Sequence, residues 1–304
     1  MKSIRLFLSL ITQDNDYQLE QAASARLAAK DVGVELEIVY AGSDTITQST
    51  QILKAVQSDP VLRPNAVIFE PVGGTALPQV ARAAVSAGVG WGVVNSDPSY
   101  VSDLRSSAKA PIFSISSDHK EIGRIQGRQF AALLPRGGAL LYIQGPSENS
   151  AAKDRSAGMQ STLPSNIQPI FLKGQWTEES AQKCVNSWLK LAASTKLRVD
   201  IVGAQNDVMA LGARKVFHGL TNLDDRDRWI RLPFTGVDGL PKTGQVWVRD
   251  GSLAATVVVP PNTGHAVRLL AEALRSGAKI PERTFTVPES FPSIEKLAAN
   301  RVPS

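Results

Sequence analysis

The feature that most constrains this chain is a repeated alternation of short apolar runs with longer stretches of helix-forming residues. Strand-like runs occur at Ile4–Ile11, Val34–Tyr40, Asn65–Phe69 and Trp91–Val94, with a short fifth at Ile112–Ile115, expected near an edge or crossover. Helix-like segments fall between them at Tyr17–Val32, Thr45–Gln57 and Leu77–Ala87. Gly33 and Gly88 stand where a left-handed cap is wanted. Continuous apolar strands separated by helices indicate parallel sheets covered on both faces.

The pattern then restarts. Asp118 opens a helix running through Leu134, with Asp118 as the expected N-cap and Glu121 placed as in a capping box. Strands follow at Ala139–Ile143, Ile167–Leu172, Val199–Gly203, Pro233–Val237 and Leu253–Val259, with helices between them. A last helix, Thr263–Ser276, ends at Gly277. Two such series predict an α/β protein of two similar doubly wound parallel-sheet lobes. No low-complexity linker separates them, so the crossovers are expected to be short hinge strands.

The 304 residues suffice for two ordinary domains. With 43% hydrophobic and 20% charged residues, the composition is that of a globular protein. The net charge of +5 comes from 33 basic against 28 acidic residues with no basic run, which argues against nucleic acid as a partner. Cys184 is the only cysteine, so neither an intramolecular disulfide nor a cysteine metal cluster is expected. It lies on a helical stripe with Ala181, Val185, Trp188 and Leu189 and reads as a packed thiol. His119, His218 and His265 lack metal-ligand spacing, so no metal is expected. The apolar part of Met1–Ile11 is brief for a leader and no small-residue cleavage site follows, so it reads as the first buried strand. No stretch is long enough to span a membrane.

Open α/β sheets bind ligands at the carboxyl ends of their strands, so each strand end is a candidate site. Val199–Gly203 delivers Gln205, Asn206 and Asp207 to such an edge. After the first strand, Asp14 and Asp16 either cap the next helix or meet a ligand, and Tyr17 offers a face for stacking. Asn95 follows Val93-Val94 in a segment, Asn95-Ser-Asp-Pro98, that is also turn-forming. Glu70-Pro-Val-Gly-Gly-Thr75 suits a tight turn, and neither phosphate-binding glycine motif is present. His119 is either a first-turn helix residue or a ligand donor. Arg155 sits early in a helix, where a cation opposes the macrodipole. It reaches ring oxygens or hydroxyls across a cleft, or pairs with Asp154 or a neighbour. Trp176 lies in a loop before a helix, and Asp238 ends a strand between Val237 and Gly239. Amides, aromatics and isolated charges suit binding better than bond breaking, and no nucleophile elbow or zinc helix accompanies them. Neither an enzymatic activity nor a cofactor is expected.

These motifs resemble the type I periplasmic binding proteins, in particular the ribose- and galactose-binding group, whose fold is shared by the effector domains of LacI-type repressors. The resemblance rests on Gln205-Asn-Asp-Val-Met-Ala-Leu-Gly212, Ser150-Ala-Ala-Lys-Asp-Arg-Ser-Ala-Gly158, Ser117-Asp-His-Lys-Glu-Ile-Gly-Arg124, Leu253-Ala-Ala-Thr256 and Gly236-Val-Asp-Gly239. It implies two lobes joined by three hinge crossovers, residues 1–116 with 261–289 and residues 117–260 with 290–304. It also implies a small sugar-like solute held between the lobes with hinge closure, and contacts from Asp14, Asp16, Tyr17, Asn95, His119, Arg155, Trp176, Asn206 and Asp238. An ABC permease or membrane sensor is the implied partner and the periplasm the implied location. A cytoplasmic ligand sensor without a DNA-binding domain is the alternative. The chain departs from the pattern at Asn95-Ser96, where sugar binders usually offer Asp-Arg, and at His119, where they offer Asn. It departs again at Val259-Pro-Pro261, and after the first strand only Tyr17 remains of an aromatic pair.

Overall fold

Leu6, Leu8 and Leu10 of the first strand pack into one hydrophobic cluster and Phe7 into another, and all four are buried. This is why the strand reads as an unbroken apolar run: helices cover both faces of its sheet. The computed structural model describes residues 3–74, 76–191 and 198–299. It divides into two compact units, one of residues up to 117 with 260–286, the other of 118–259 with 287 onward. The chain therefore passes between units three times.

The first unit contains β1 (Arg5–Leu10), α1 (Asp16–Val32), β2 (Glu35–Tyr40), α2 (Thr45–Val56), β3 (Ala66–Phe69), α3 (Pro78–Ser86), β4 (Gly90–Val94), α4 (Tyr100–Ser107) and β5 (Ile112–Ser117). The second contains α5 (His119–Leu133), β6 (Gly138–Gln144), α6 (Ser150–Thr162), β7 (Ile167–Lys173), α7 (Glu178–Leu189), β8 (Ile201–Ala204), α8 (Asp207–His218), α9 (Leu223–Ile230), β9 (Phe234–Asp238), α10 (Gly244–Arg249) and β10 (Ala255–Val258). The chain returns to the first unit for α11 (Thr263–Ser276) and β11 (Arg283–Thr286), then to the second for β12 (Glu289–Phe291) and α12 (Ile294–Ala299).

The first sheet runs β2-β1-β3-β4-β5-β11, with every pairing parallel. The second runs β7-β6-β8-β9-β10-β12 and differs in one respect, the antiparallel pairing of β12 with β10. In both, the first strand lies between the second and the third, so the strand order reverses there. β5 was expected to be short and near an edge or crossover. It is six residues long and flanked by β4 and β11, so it is neither short nor at an edge, and the crossover is the part of the expectation that holds. Its end at Ser117 coincides with the first passage between units.

The caps follow local chemistry. Gly33, at φ 62°, ends α1 and Gly277, at φ 73°, ends α11. The cap at the start of α1 is neither Asp14 nor Asp16 but Asn15, whose Oδ1 accepts from the backbone N–H groups of Tyr17 and Gln18. Asp118 caps α5 by accepting from Glu121 N at 2.8 Å. The capping box is only half made, because the Glu121 carboxylate pairs with Arg124 and Arg128 instead of reaching back. At α11 the Asn262 side chain makes no cap bond. Gln21 Oε1 of α1 substitutes, accepting from Asn262 N at 2.9 Å and Thr263 N at 3.1 Å.

One helix contact bears on the site. A Cβ on Gly123 of α5 would lie 2.0 Å from the Arg155 carbonyl oxygen, and one on Gly158 of α6 would lie 2.0 Å from that of Lys120. The two helices therefore touch backbone to backbone, and only glycine fits at either position.

Candidate functional site

In sheets of this order, a crevice opens at the carboxyl ends of the two strands where the order reverses. The switch point lies between β1 and β3 in the first unit and between β6 and β8 in the second.

At the first switch point the dominant group is Glu70, which follows β3 directly and is 4% exposed. Gln18 Nε2 donates to its Oε2 at 2.8 Å, and Asn95 Nδ2 donates to its Oε1 at 2.9 Å. Gln18 is itself oriented, because its Oε1 accepts from Ile11 N. Gln48 braces the same turn, donating to the Glu70 carbonyl at 2.8 Å and accepting from Val72 N at 3.0 Å. Burial pushes the Glu70 carboxyl above its ordinary value, against the bonds from Asn95 and Gln18. Asn95 has a left-handed backbone, φ 55°, and its buried Oδ1 has no hydrogen-bond partner. Tyr17 is buried on α1, whereas Asp14 and Asp16 are exposed. Asp14 accepts from the Thr12 hydroxyl in the loop before the helix.

At the second switch point Gln205 is fully buried and staples the strand ends. Its Oε1 accepts from Gly145 N at 2.8 Å, and its Nε2 donates to the Ala152 carbonyl and the Ser156 hydroxyl. Arg155 is 6% exposed, its Nη1 donating to the Gln205 carbonyl. Its guanidinium carbon lies 5.4 Å from the centroid of the Trp176 ring. The alternative of an ion pair with Asp154 or a neighbour is thereby corrected: among the described residues the guanidinium binds a carbonyl and an aromatic face. Its Nε is buried with no hydrogen-bond partner.

Trp176 has φ 65°. Asn206 holds this residue by donating from Nδ2 to the Trp176 carbonyl at 2.9 Å, while its Oδ1 caps α8 through Met209 N. Much of the Asn206 amide is thus committed to the loop that carries the indole. Gly145 completes the arrangement, since a Cβ there would lie 2.3 Å from the Trp176 ring.

Asp207 is 3% exposed and accepts from Gly239 N at 2.8 Å and the Thr256 hydroxyl at 2.6 Å. Burial raises its carboxyl well above the ordinary range and the nearby Asp238 charge raises it further. Thr256, Gly239 and Arg155 oppose the shift. Asp238, at φ 103°, ends β9 in a conformation that side chains rarely adopt. His119 is 7% exposed in the first turn of α5, the helix that touches the Arg155 backbone.

The structure thus connects Arg155, Trp176 and Asn206 directly, links Asp238 to them through Asp207, and places Asn95 in a separate cluster around Glu70. Glu70 after β3 and Gln18 on α1 lie outside the candidate contacts read from the sequence, whereas Gln205 is read at its strand edge without a contact role. In the sequence Glu70 reads as part of a tight turn. Its signal was a carboxylate placed directly after an apolar strand, where burial is unavoidable. Cys184 is half-buried against the helix–sheet cluster of the second unit, and burial raises its thiol, as suits a packed side chain. Among the described residues no group of three or more His, Cys, Asp or Glu side chains could hold a metal, and no helix is long and apolar enough to cross a membrane.

Comparison with known proteins agrees with this fold. Similarity over 274 residues connects the chain to the ribose import binding protein of Salmonella typhimurium, at 25% identity across 90% of this chain and 85% of that one. The D-galactose/methyl-galactoside binding periplasmic protein of Haemophilus influenzae is 26% identical over 85% of this chain and 80% of its own. Among solved structures, the periplasmic binding protein component of the arabinose ABC transporter of Shewanella sp. ANA-3, bound to L-arabinofuranose, superimposes with a TM-score of 0.79. It is 23% identical, over 97% of this chain and 94% of that one. The periplasmic binding protein domain family matches residues 6–279, and the chain belongs to that family.

Proposed function

We propose that this protein is the substrate-binding component of an ABC-type importer, taking a small polar solute of the sugar or sugar-like class in the periplasm. The observation that carries the reading is the second switch point, where a buried guanidinium lies over an indole face and acts on the buried Asp207 carboxyl, itself beside Asp238. Planar aromatic faces with charge-assisted hydrogen bonds orient hydroxylated rings. Such amide, guanidinium and aromatic groups suit holding a solute rather than transforming it.

Asn95 in the first unit and His119, Arg155, Trp176 and Asp238 in the second are the contacts this reading assigns, with Tyr17 as a stacking face. Asp14 and Asp16 are solvent-exposed and would meet only a ligand that reaches the rim. Asn206 contributes through the indole it positions. The partners are the solute and a permease. Names carried by relatives motivate the choice of carbohydrates, since ribose, galactosides and arabinose are what those proteins bind.

Isothermal titration with pentoses, hexoses, furanoses and cyclic polyols tests the proposal. Saturable one-to-one binding, with a fall in the radius of gyration by solution scattering, is the expected result. Absence of binding across all four classes would overturn it.

A further inference from the structure

A buried carboxylate requires compensation, because removing its charge from water costs far more than neutral hydrogen bonds return. In the second unit, Arg155 supplies a positive charge to the Asp207 region. Glu70 in the first unit has no such neighbour. Its two oxygens accept from the neutral amides of Gln18 and Asn95, and it forms no ion pair among the described residues.

The amides also have fixed directions. Gln18 is locked by its bond from Ile11 N, so it presents N–H to Glu70. Asn95 turns its N–H toward the same carboxylate, which leaves its Oδ1 buried and without a partner. The first switch point is therefore rich in acceptors: the remaining lone pairs of Glu70 and the carbonyl oxygen of Asn95. A group with several N–H donors and a positive charge satisfies both. A hydroxyl has a single donor and brings no charge.

We infer that Glu70 is a specificity-determining contact that selects solutes carrying a protonated amine, such as amino sugars or amino cyclitols, over their all-hydroxyl counterparts. The inference rests on the proposed binding function and narrows its ligand class. A solely structural Glu70, bracing the turn through Gln18 and Asn95, would affect stability and leave the choice of ligand unchanged.

The test is titration with matched pairs that differ by one amine for one hydroxyl: D-glucosamine and D-glucose, D-galactosamine and D-galactose, and an amino-deoxy-inositol and myo-inositol. The expected result is that in at least one pair the amine binds about tenfold or more tightly. E70Q, confirmed as folded by its circular dichroism and melting transition, should abolish that preference while keeping measurable affinity for the neutral member. Neutral members binding as well as or better than the amines in the parent protein would overturn the inference and leave the binding function standing. So would an amine preference that survives E70Q. Failure of every compound, together with every class in the wider panel, would overturn both.

Discussion

The Arg155 guanidinium is held between the Gln205 carbonyl, to which Nη1 donates, and the face of Trp176, whose centroid lies 5.4 Å from its central carbon. Neither contact carries a negative charge, and the guanidinium also acts on the buried Asp207 carboxyl, whose shift it opposes. Removing the cation with Arg155→Met should weaken solute binding by about 2 kcal/mol, in the range of a charge-assisted bond, or roughly thirtyfold. Trp176→Ala should weaken it by about 1–2 kcal/mol through loss of the stacked face. Calorimetric titration of each variant against the best-bound member of the sugar panel checks both values.

Gly145 offers a different probe of the same wall. A methyl group there would penetrate the Trp176 ring, the nearest ring atom being 2.3 Å away. In Gly145→Ala the indole must therefore rotate off the guanidinium. Binding should fall at least as far as in Trp176→Ala, and indole fluorescence should shift relative to the parent. An unchanged spectrum together with unchanged affinity would contradict this account of the wall.

The crossing of α5 and α6 should be intolerant of any side chain. Gly123→Ala and Gly158→Ala each force a methyl against a backbone carbonyl, which cannot retract as a flexible side chain can. Each should destabilise the protein by about 1–3 kcal/mol, as overpacking does. Urea unfolding monitored by circular dichroism measures the loss.

Asp207 supplies the pH dependence. Its folded-state carboxyl is raised above 3.8 by burial and by Asp238, so the native state keeps that proton to higher pH than the unfolded chain. Stability from this group is full below the unfolded value and declines as pH rises through the folded one. In Asp207→Asn the amide can donate to the Thr256 hydroxyl and accept from Gly239 N, and no charge is buried. The variant's stability relative to the parent should therefore rise with pH across that window and then level off. Paired unfolding curves at a series of pH values test the sign; a relative stability that falls with pH would refute it.

Most of the architecture was legible because each sheet is buried on both faces. Runs such as Trp91–Val94 and helices such as Thr263–Ser276 carry their own period, cap and stop signals. What escaped was structure made by partners distant in sequence. β11 is an exposed, alternating Arg283–Thr286 that becomes a strand by pairing with β5, and β12 is three residues aligned against β10. α4 begins among turn formers at Ser99 with no side-chain cap bond, so nothing local announces it. At the site, the sequence nominates Asn95 and Asp238 at strand ends, Arg155 early in a helix and Trp176 in a loop. It could not foresee that Asn206 would be committed to a backbone carbonyl, or that Asn15 would cap in place of its acidic neighbours. Those outcomes depend on which atoms are already occupied.

Because α5 and α6 meet through bare backbone at Gly123 and Gly158, His119 and Arg155 are carried by a helix pair with no cushion of side chains to compress. On the proposed binding role, solutes of unequal bulk would be accommodated by bond rotations at the tips of these residues and of Trp176. Discrimination by size at this edge should accordingly be abrupt, with an added ring substituent either fitting outright or being refused.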